Sequence, residues 1–157
     1  MVRTLIAAGI ILLDQLTKYW AVLRLKGQSE IVVIPGFLRF FYTENRGAAF
    51  SLFADHSAAQ TFLTLASIVG AIFFLILLYR YQHSRLWTAA LIALLAGTVG
   101  NLIDRVRLGY VVDFIAVNFG SYQFPIFNIA DSAIVIGVGL MLIELILETG
   151  NDRSSDA

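Results

Sequence analysis

Four stretches of this chain stay apolar for close to the length that crosses a bilayer, and this restricts the fold more than any other feature. A hydrocarbon core about 30 Å thick takes about 20 apolar residues as a helix. No water is available there to satisfy backbone N–H and C=O groups, so each such span must bond its backbone internally. The pattern predicts helices over about 4–23, 60–79, 86–105 and 129–148. Composition agrees: 59% of the 157 residues are hydrophobic and only 14% charged, against about 45–50% and about 25% in soluble domains. The expected fold is a mainly α membrane protein, a bundle of four transmembrane helices, with residues 1–157 forming one domain. The first run has the apolar core of a signal peptide, but Asp14 and Lys18 follow it rather than a small-residue cleavage site, so it reads as a retained helix.

The segments between the runs differ in character. Residues 30–53 are rich in β-branched and aromatic side chains, with a Pro35-Gly36 turn signal. They are too short to span, and predict a small β-cradle of about three strands at the membrane surface, where aromatics are favoured. Residues 107–127, punctuated by Gly109, Gly120 and Pro125, read as a re-entrant or surface connection. The chain from Glu144 onward reads as solvated, with 149–157 a flexible tail.

Several function classes are excluded early. Eleven basic and eleven acidic residues leave a net charge of zero, so no basic footprint for nucleic acid exists. There is no cysteine, hence no disulfide, thiolate nucleophile or zinc-thiolate site. His56 and His83 read as loop residues without metal-ligand spacing.

Two aspartates then stand out, because a carboxylate in or beside hydrocarbon is costly and marks a functional site by default. Asp113 sits in Val111-Val112-Asp113-Phe114-Ile115-Ala116-Val117, and Asp131 in Phe127-Asn128-Ile129-Ala130-Asp131-Ser132. Two carboxyls brought close share a proton, because both cannot ionise cheaply. Asn128, Asp131 and Ser132 share one face of a first helical turn. Asn128 is a candidate N-cap there, and the helix dipole favours a negative Asp131. Asp14 and Lys18, four apart, share a face and can pair; a structural ion pair, a snorkelling lysine and a place near the active site all fit. Gly97, Asn101, Asp104 and Arg105 also share one face, with Gly100 allowing close helix contact. Asp104 and Arg105 fit an aqueous helix end with Asn101 as interhelical glue, but for Asn101 and Arg105 support of the aspartates is the favoured reading. Asn45 and Gly47 pair a polar side chain with a permissive backbone.

An even number of spans puts both termini on one side. Arg3, Arg80, Arg85 and Arg153 lie on that side, against Arg24, Lys26, Arg39, Arg46, Arg105 and Arg107 on the other. A literal positive-inside count puts the termini outside.

Four blocks carry a family likeness: Asp14-Gln15-Leu16-Thr17-Lys18; Asn45-Arg46-Gly47-Ala48-Ala49-Phe50; Gly100-Asn101-Leu102-Ile103-Asp104-Arg105 with Gly109-Tyr110-Val111-Val112-Asp113-Phe114; and Phe124-Pro125-Ile126-Phe127-Asn128-Ile129-Ala130-Asp131-Ser132. In this order and spacing the chain resembles the lipoprotein signal peptidases (signal peptidase II), membrane aspartic peptidases of bacteria. The resemblance implies four spans with cytoplasmic termini in the bacterial cytoplasmic (inner) membrane, overriding the charge count. It also implies a periplasmic β-cradle, a short extracytoplasmic helix and an active site toward the outer face. It makes Asp113 and Asp131 the catalytic pair. Asp14, Lys18, Asn45, Gly47, Gly100, Asn101, Arg105, Asn128 and Ala130 become substrate-binding or supporting residues. The implied substrate is a diacylglyceryl prolipoprotein, cut just before its lipidated cysteine, with membrane lipid as partner, peptide antibiotics such as globomycin as inhibitors, no metal or cofactor, and a monomeric enzyme. On the residues alone, a proton or ion pathway and a metal-dependent lipid transferase remain rivals, as does a non-enzymatic scaffold, which would leave the polar blocks without a purpose. The first needs ionisable groups across the membrane depth, and the second needs several clustered carboxylates.

Overall fold

The computed structural model describes residues 1–47, 56–80 and 84–155. Along the chain run α1 (Val2–Leu25), β1 (Ile31–Ile34), β2 (Leu38–Asn45), α2 (His56–Arg80), α3 (Arg85–Leu108), β3 (Val111–Phe119), β4 (Tyr122–Gln123) and α4 (Ile129–Ser155). All four helices are long and apolar enough to cross a membrane.

The helix α3 is the axis of the bundle. More than half of its apolar window (56%) is buried, against 6% for α2. Small residues explain this: Ala90, Ala93, Ala96, Gly97 and Gly100 let neighbouring backbones approach. A Cβ on Gly97 would collide with the Ala130 carbonyl oxygen and lie 2.7 Å from Ile134 Cγ1 of α4. From the opposite side, a Cβ on Gly137 would sit 2.7 Å from Leu94 Cγ and 2.9 Å from Ala90 O of α3. The close contact brings the C-terminal turns of α3 against the first turn of α4. Gly97→Val should therefore force the helices apart, with a stability loss of about 1–3 kcal/mol from overpacking. Gly9→Val, with open space around its Cβ position, is the control, and thermal unfolding in detergent reads the difference.

Two apolar clusters fasten the other elements. Ala7, Leu78, Leu91, Ile92, Leu95 and Ala96 join α1, α2 and α3. Ala21 and Leu25 at the end of α1 pack on Val112 and Phe114 of β3. Outward-facing Leu12, Leu16, Phe62, Val69, Ile72, Val135 and Ile136 are exposed, the surface expected of a bundle whose solvent is lipid.

Three sequence expectations are corrected. The β-cradle is not made by residues 30–53 alone. Its described strands there are β1 and β2, and β3 and β4 from the supposed connection complete an antiparallel sheet of order β1-β2-β3-β4. Thr43 pairs with Asp113 and Asn45 with Val111, so Asp113 sits on a strand rather than a loop. The β-branched and aromatic run around it fits a strand buried on both faces, and Val111, Val112, Asp113, Phe114 and Ala116 are all buried. Residues 48–53 lie outside the described residues, and no separate short helix stands among those described. The final helix also does not give way to a tail: α4 continues to Ser155. Glu144 is buried rather than solvated, because α4 stays against α3 and places Met141 on the Leu91 cluster. Finally, Asp104 is no marker of an aqueous helix end, since it is buried too. The turn near His83 lies at residues 81–83, outside the described residues, and His56 opens α2.

Candidate active site

Where the sheet meets the bundle, a single asparagine grips both aspartates. Asn128 precedes α4, and its Oδ1 accepts from the Asp131 backbone N at 2.9 Å. In return Asp131 Oδ2 accepts from the Asn128 backbone N at 3.2 Å. This reciprocal arrangement follows the logic of a capping box. The expected N-cap is therefore present, and it fixes the Asp131 carboxylate at the positive end of the helix. The other end of the same amide faces β3: Asn128 Nδ2 donates to Asp113 Oδ1 at 2.7 Å.

Each remaining carboxylate oxygen has its own donor. Asn45 Nδ2 donates to Asp113 Oδ2 at 2.9 Å, and Asn101 Nδ2 to Asp131 Oδ1 at 2.7 Å. Asn45 is held in turn by the Gly47 backbone N, which donates to Asn45 Oδ1 at 2.9 Å. That turn needs φ +86° at Gly47, a backbone that a side chain would strain. Asp113 is 1% exposed, and its pKa is pushed up to about 6 by burial first and then by the neighbouring Asp131 charge. The two aspartates are thus electrostatically coupled.

Arg105 adds a half-buried cation. It donates through Nη1 to Ser67 Oγ of α2 at 3.2 Å and acts electrostatically on Asp131, Asp113 and Asp104.

Behind the aspartates lies a second layer. Lys18 Nζ reaches Asp14 Oδ2 and Asp104 Oδ2, each at 3.0 Å, and donates to Asn101 Oδ1 at 2.9 Å. Asp14 Oδ1 accepts from the Ala130 backbone N at 2.9 Å, and Asp104 Oδ2 from the Val112 backbone N at 3.1 Å. Ala130 and Gly100 are small for a reason: a Cβ on Gly100 would lie 2.7 Å from Asp14 Oδ2 and 3.1 Å from Ala130 Cβ. The expected pairing of Asp14 with Lys18 is present, and it reaches the aspartates through Asn101.

Every residue singled out from the sequence as a site residue thus falls in one connected region. Three participants were missed. Gln15 Nε2 donates at 3.1 Å to each of Asp14 Oδ2, Asp104 Oδ1 and Gly100 O; it stands inside the Asp14–Lys18 block, which was its only signal. Ser67 is one of three aliphatic hydroxyls, with Thr61 and Thr64, in an otherwise apolar run. Glu44 has its pKa lowered to about 2, chiefly by the hydrogen bond from Lys26 and next by that from Arg46. With Lys26 over the Tyr42 and Tyr110 rings, it ties the end of β2 beside Asn45 to the end of α1.

A sequence model of Signal peptidase (SPase) II matches residues 6–147. The chain belongs to the signal peptidase II family. Relatives named lipoprotein signal peptidase include that of Clostridium tetani, 42% identical over 93% of this chain and 92% of the relative. That of Staphylococcus aureus is 38% identical over 97% and 92%. Two solved structures described as bacterial membrane enzymes share the fold. One has TM-score 0.81 at 38% identity, covering 96% of this chain and 90% of that one. The other has TM-score 0.82 at 39% identity, covering 92% of each. The signal peptidase II chain described here is accordingly a multi-pass membrane protein with a small sheet at one end of its bundle.

Proposed function

We propose that this signal peptidase II is an aspartic endopeptidase that removes the signal peptide from diacylglyceryl-modified prolipoproteins, cutting just before the lipidated cysteine. The observation that carries this reading is Asn128 hydrogen-bonding Asp113 and Asp131 at once. A pair held this way, with the Asp113 pKa pushed up by burial and by the neighbouring Asp131 charge, suits two carboxyls dividing one proton. The ionised carboxylate takes a proton from water while the protonated partner hydrogen-bonds the scissile carbonyl. Water attacks the carbonyl carbon, and a proton passes to the departing amine as the C–N bond breaks. Asn45, Asn101 and Asn128 orient the pair, and Arg105 balances its charge. The ring of N–H donors and the nearby guanidinium would repel a cation, which argues against the metal-dependent rival. Clustering at one end of the bundle argues against a proton pathway.

The site lies where the last helix begins, near the headgroups, so water and a lipid-anchored cysteine can meet there. In our reading the termini are cytoplasmic and the sheet lies on the outer face of the inner membrane. The sheet-side cations support this over the literal charge count. Arg39 is paired with Glu30, and Lys26 and Arg46 with Glu44, so they report folding rather than orientation. An apolar groove along α2, lined by Leu65, Val69, Gly70 and Phe73, suits acyl chains or the signal helix. The protein acts as a monomer, and globomycin-type peptides would compete for the site.

The test is a gel-shift cleavage assay on a lipidated and an unlipidated precursor, run across pH. Only the lipidated form should be cut. One proton must remain on the pair, and Asp113 titrates near 6. The free enzyme's kcat/KM should therefore fall as the pH rises past that value and the proton is lost. Equal cleavage of both precursors, or a rate that climbs steadily into alkali, would remove the proposed function.

A further inference from the structure

The donors on the two aspartates are not equivalent, and the difference starts at Lys18. An ammonium has three N–H donors and no acceptor. All three of Lys18 are used, on Asp14 Oδ2, Asp104 Oδ2 and Asn101 Oδ1, and the side chain is 3% exposed. An amide, by contrast, can face either way, and its partners decide which. Asn101 Oδ1 faces two donors, Lys18 Nζ at 2.9 Å and Asn128 Nδ2 at 3.1 Å. The oxygen must point there, so the N–H must point at Asp131 Oδ1, 2.7 Å away.

We propose that Lys18 is a positioning residue of the dyad: it locks the Asn101 amide with its N–H toward Asp131, keeping the negative charge on Asp131 and the shared proton on Asp113. The proposal rests on the peptidase reading of the site. An ammonium on the carbonyl end polarises the amide, so its N–H donates more strongly than an ordinary one. Asp113 feels the Lys18 charge only through space, and its direct hydrogen bonds come from uncharged amides, Asn45 and Asn128, with no ammonium on their far ends. The other charges facing the pair do not create this asymmetry. Arg105 acts on both aspartates, and Asp14 and Asp104 share the one Lys18 ammonium and take further hydrogen bonds from Gln15 and backbone N–H groups. Without the ammonium, the Asn128 amide alone holds the Asn101 oxygen away from Asp131, so Asn101 turns that oxygen to Asp131 more readily. Two acceptors then meet unless Asp131 takes the proton, which reverses the roles of general base and general acid.

The test compares wild type, Lys18→Met and Lys18→Arg, purified full length in detergent. Two readouts are used: the pH profile of kcat/KM on a lipidated precursor, and the infrared carboxyl titration of Asp131 in an Asp113→Asn background. Lys18→Met should move the acidic limb up by about one pH unit or more, a tenfold loss at its acidic end. It should also move the infrared midpoint in the same direction. Lys18→Arg also carries only donors, and should return the limb toward its wild-type position even at a lower maximal rate. If Lys18→Met does not fold, the double variant Lys18→Met with Asp14→Asn removes cation and anion together and is read in the same way. A profile that only shrinks, with limb and infrared midpoint unmoved, overturns the proposal and leaves Lys18 as a structural ion pair. If wild type cuts no precursor, the peptidase reading fails, and the infrared titration still decides what Lys18 does.

Discussion

Asp113→Asn and Asp131→Asn should each leave a folded, membrane-inserted protein whose cleavage of a lipidated precursor is slower by about 10³-fold or more. Loss of one member of an acid–base pair removes effects of about 10²–10⁴-fold. Here each carboxyl is asked both to hold the pair's proton and to transfer one. The structures of the variants should survive for a specific reason. Asparagine keeps the shape and one oxygen of aspartate, so one of the two donors at position 113, Asn45 or Asn128, keeps its acceptor while the other faces the new NH2. Removing a buried charge also relieves a desolvation cost rather than adding one. The lost hydrogen bond offsets that relief, so thermal unfolding should stay close to wild type while activity disappears. Leu75→Ala, on an exposed apolar position, supplies the control for general damage to the bundle. Retention of more than about a tenth of wild-type activity by either asparagine variant would rule out a two-carboxyl mechanism.

What could be read from the sequence was the part governed by local periodicity and length. The spans follow from runs of apolar residues, the Asp14–Lys18 pair from a spacing of four, and the Asn128 cap from an asparagine before an apolar helix. The cradle was legible only in half, because its decisive pairing is non-local. Nothing near Asp113 announces that Thr43 will lie opposite it, and glycines that bound a strand look like glycines that bound a loop. Asp104 shows a second limit. Periodicity puts it on one face with Gly97 and Asn101, but which way that face turns depends on Lys18, a residue of another helix. Glu144 shows a third: an acidic residue near a helix end reads as solvated, and nothing in its local sequence announces that it is buried. Gly100 and Ala130 were named from the resemblance, and the structure supplies the cause, which is room for the Asp14 carboxylate between two helices.

Asn128→Ala should produce the other large effect, in stability and rate together. The side chain caps α4 through Oδ1, and removing such a cap costs about 1 kcal/mol. Its Nδ2 also serves Asp113 Oδ1, Asn101 Oδ1 and the Val112 carbonyl, so truncation leaves buried acceptors short of a donor, at about 1–3 kcal/mol. With the tie between β3 and α4 gone, the two carboxyls are no longer held in one geometry. A misplacement of about 1 Å can cost about 10²-fold in rate. Asn128→Ser separates the two roles. A serine oxygen can still cap the helix, but it cannot span to Asp113 as the amide does. Serine should therefore recover much of the lost thermal stability and little of the lost kcat/KM, measured on the same lipidated precursor. If serine restored rate and stability in parallel, Asn128 would be a helix cap alone, and the geometry of the pair would have to be set by Asn45 and Asn101 without it.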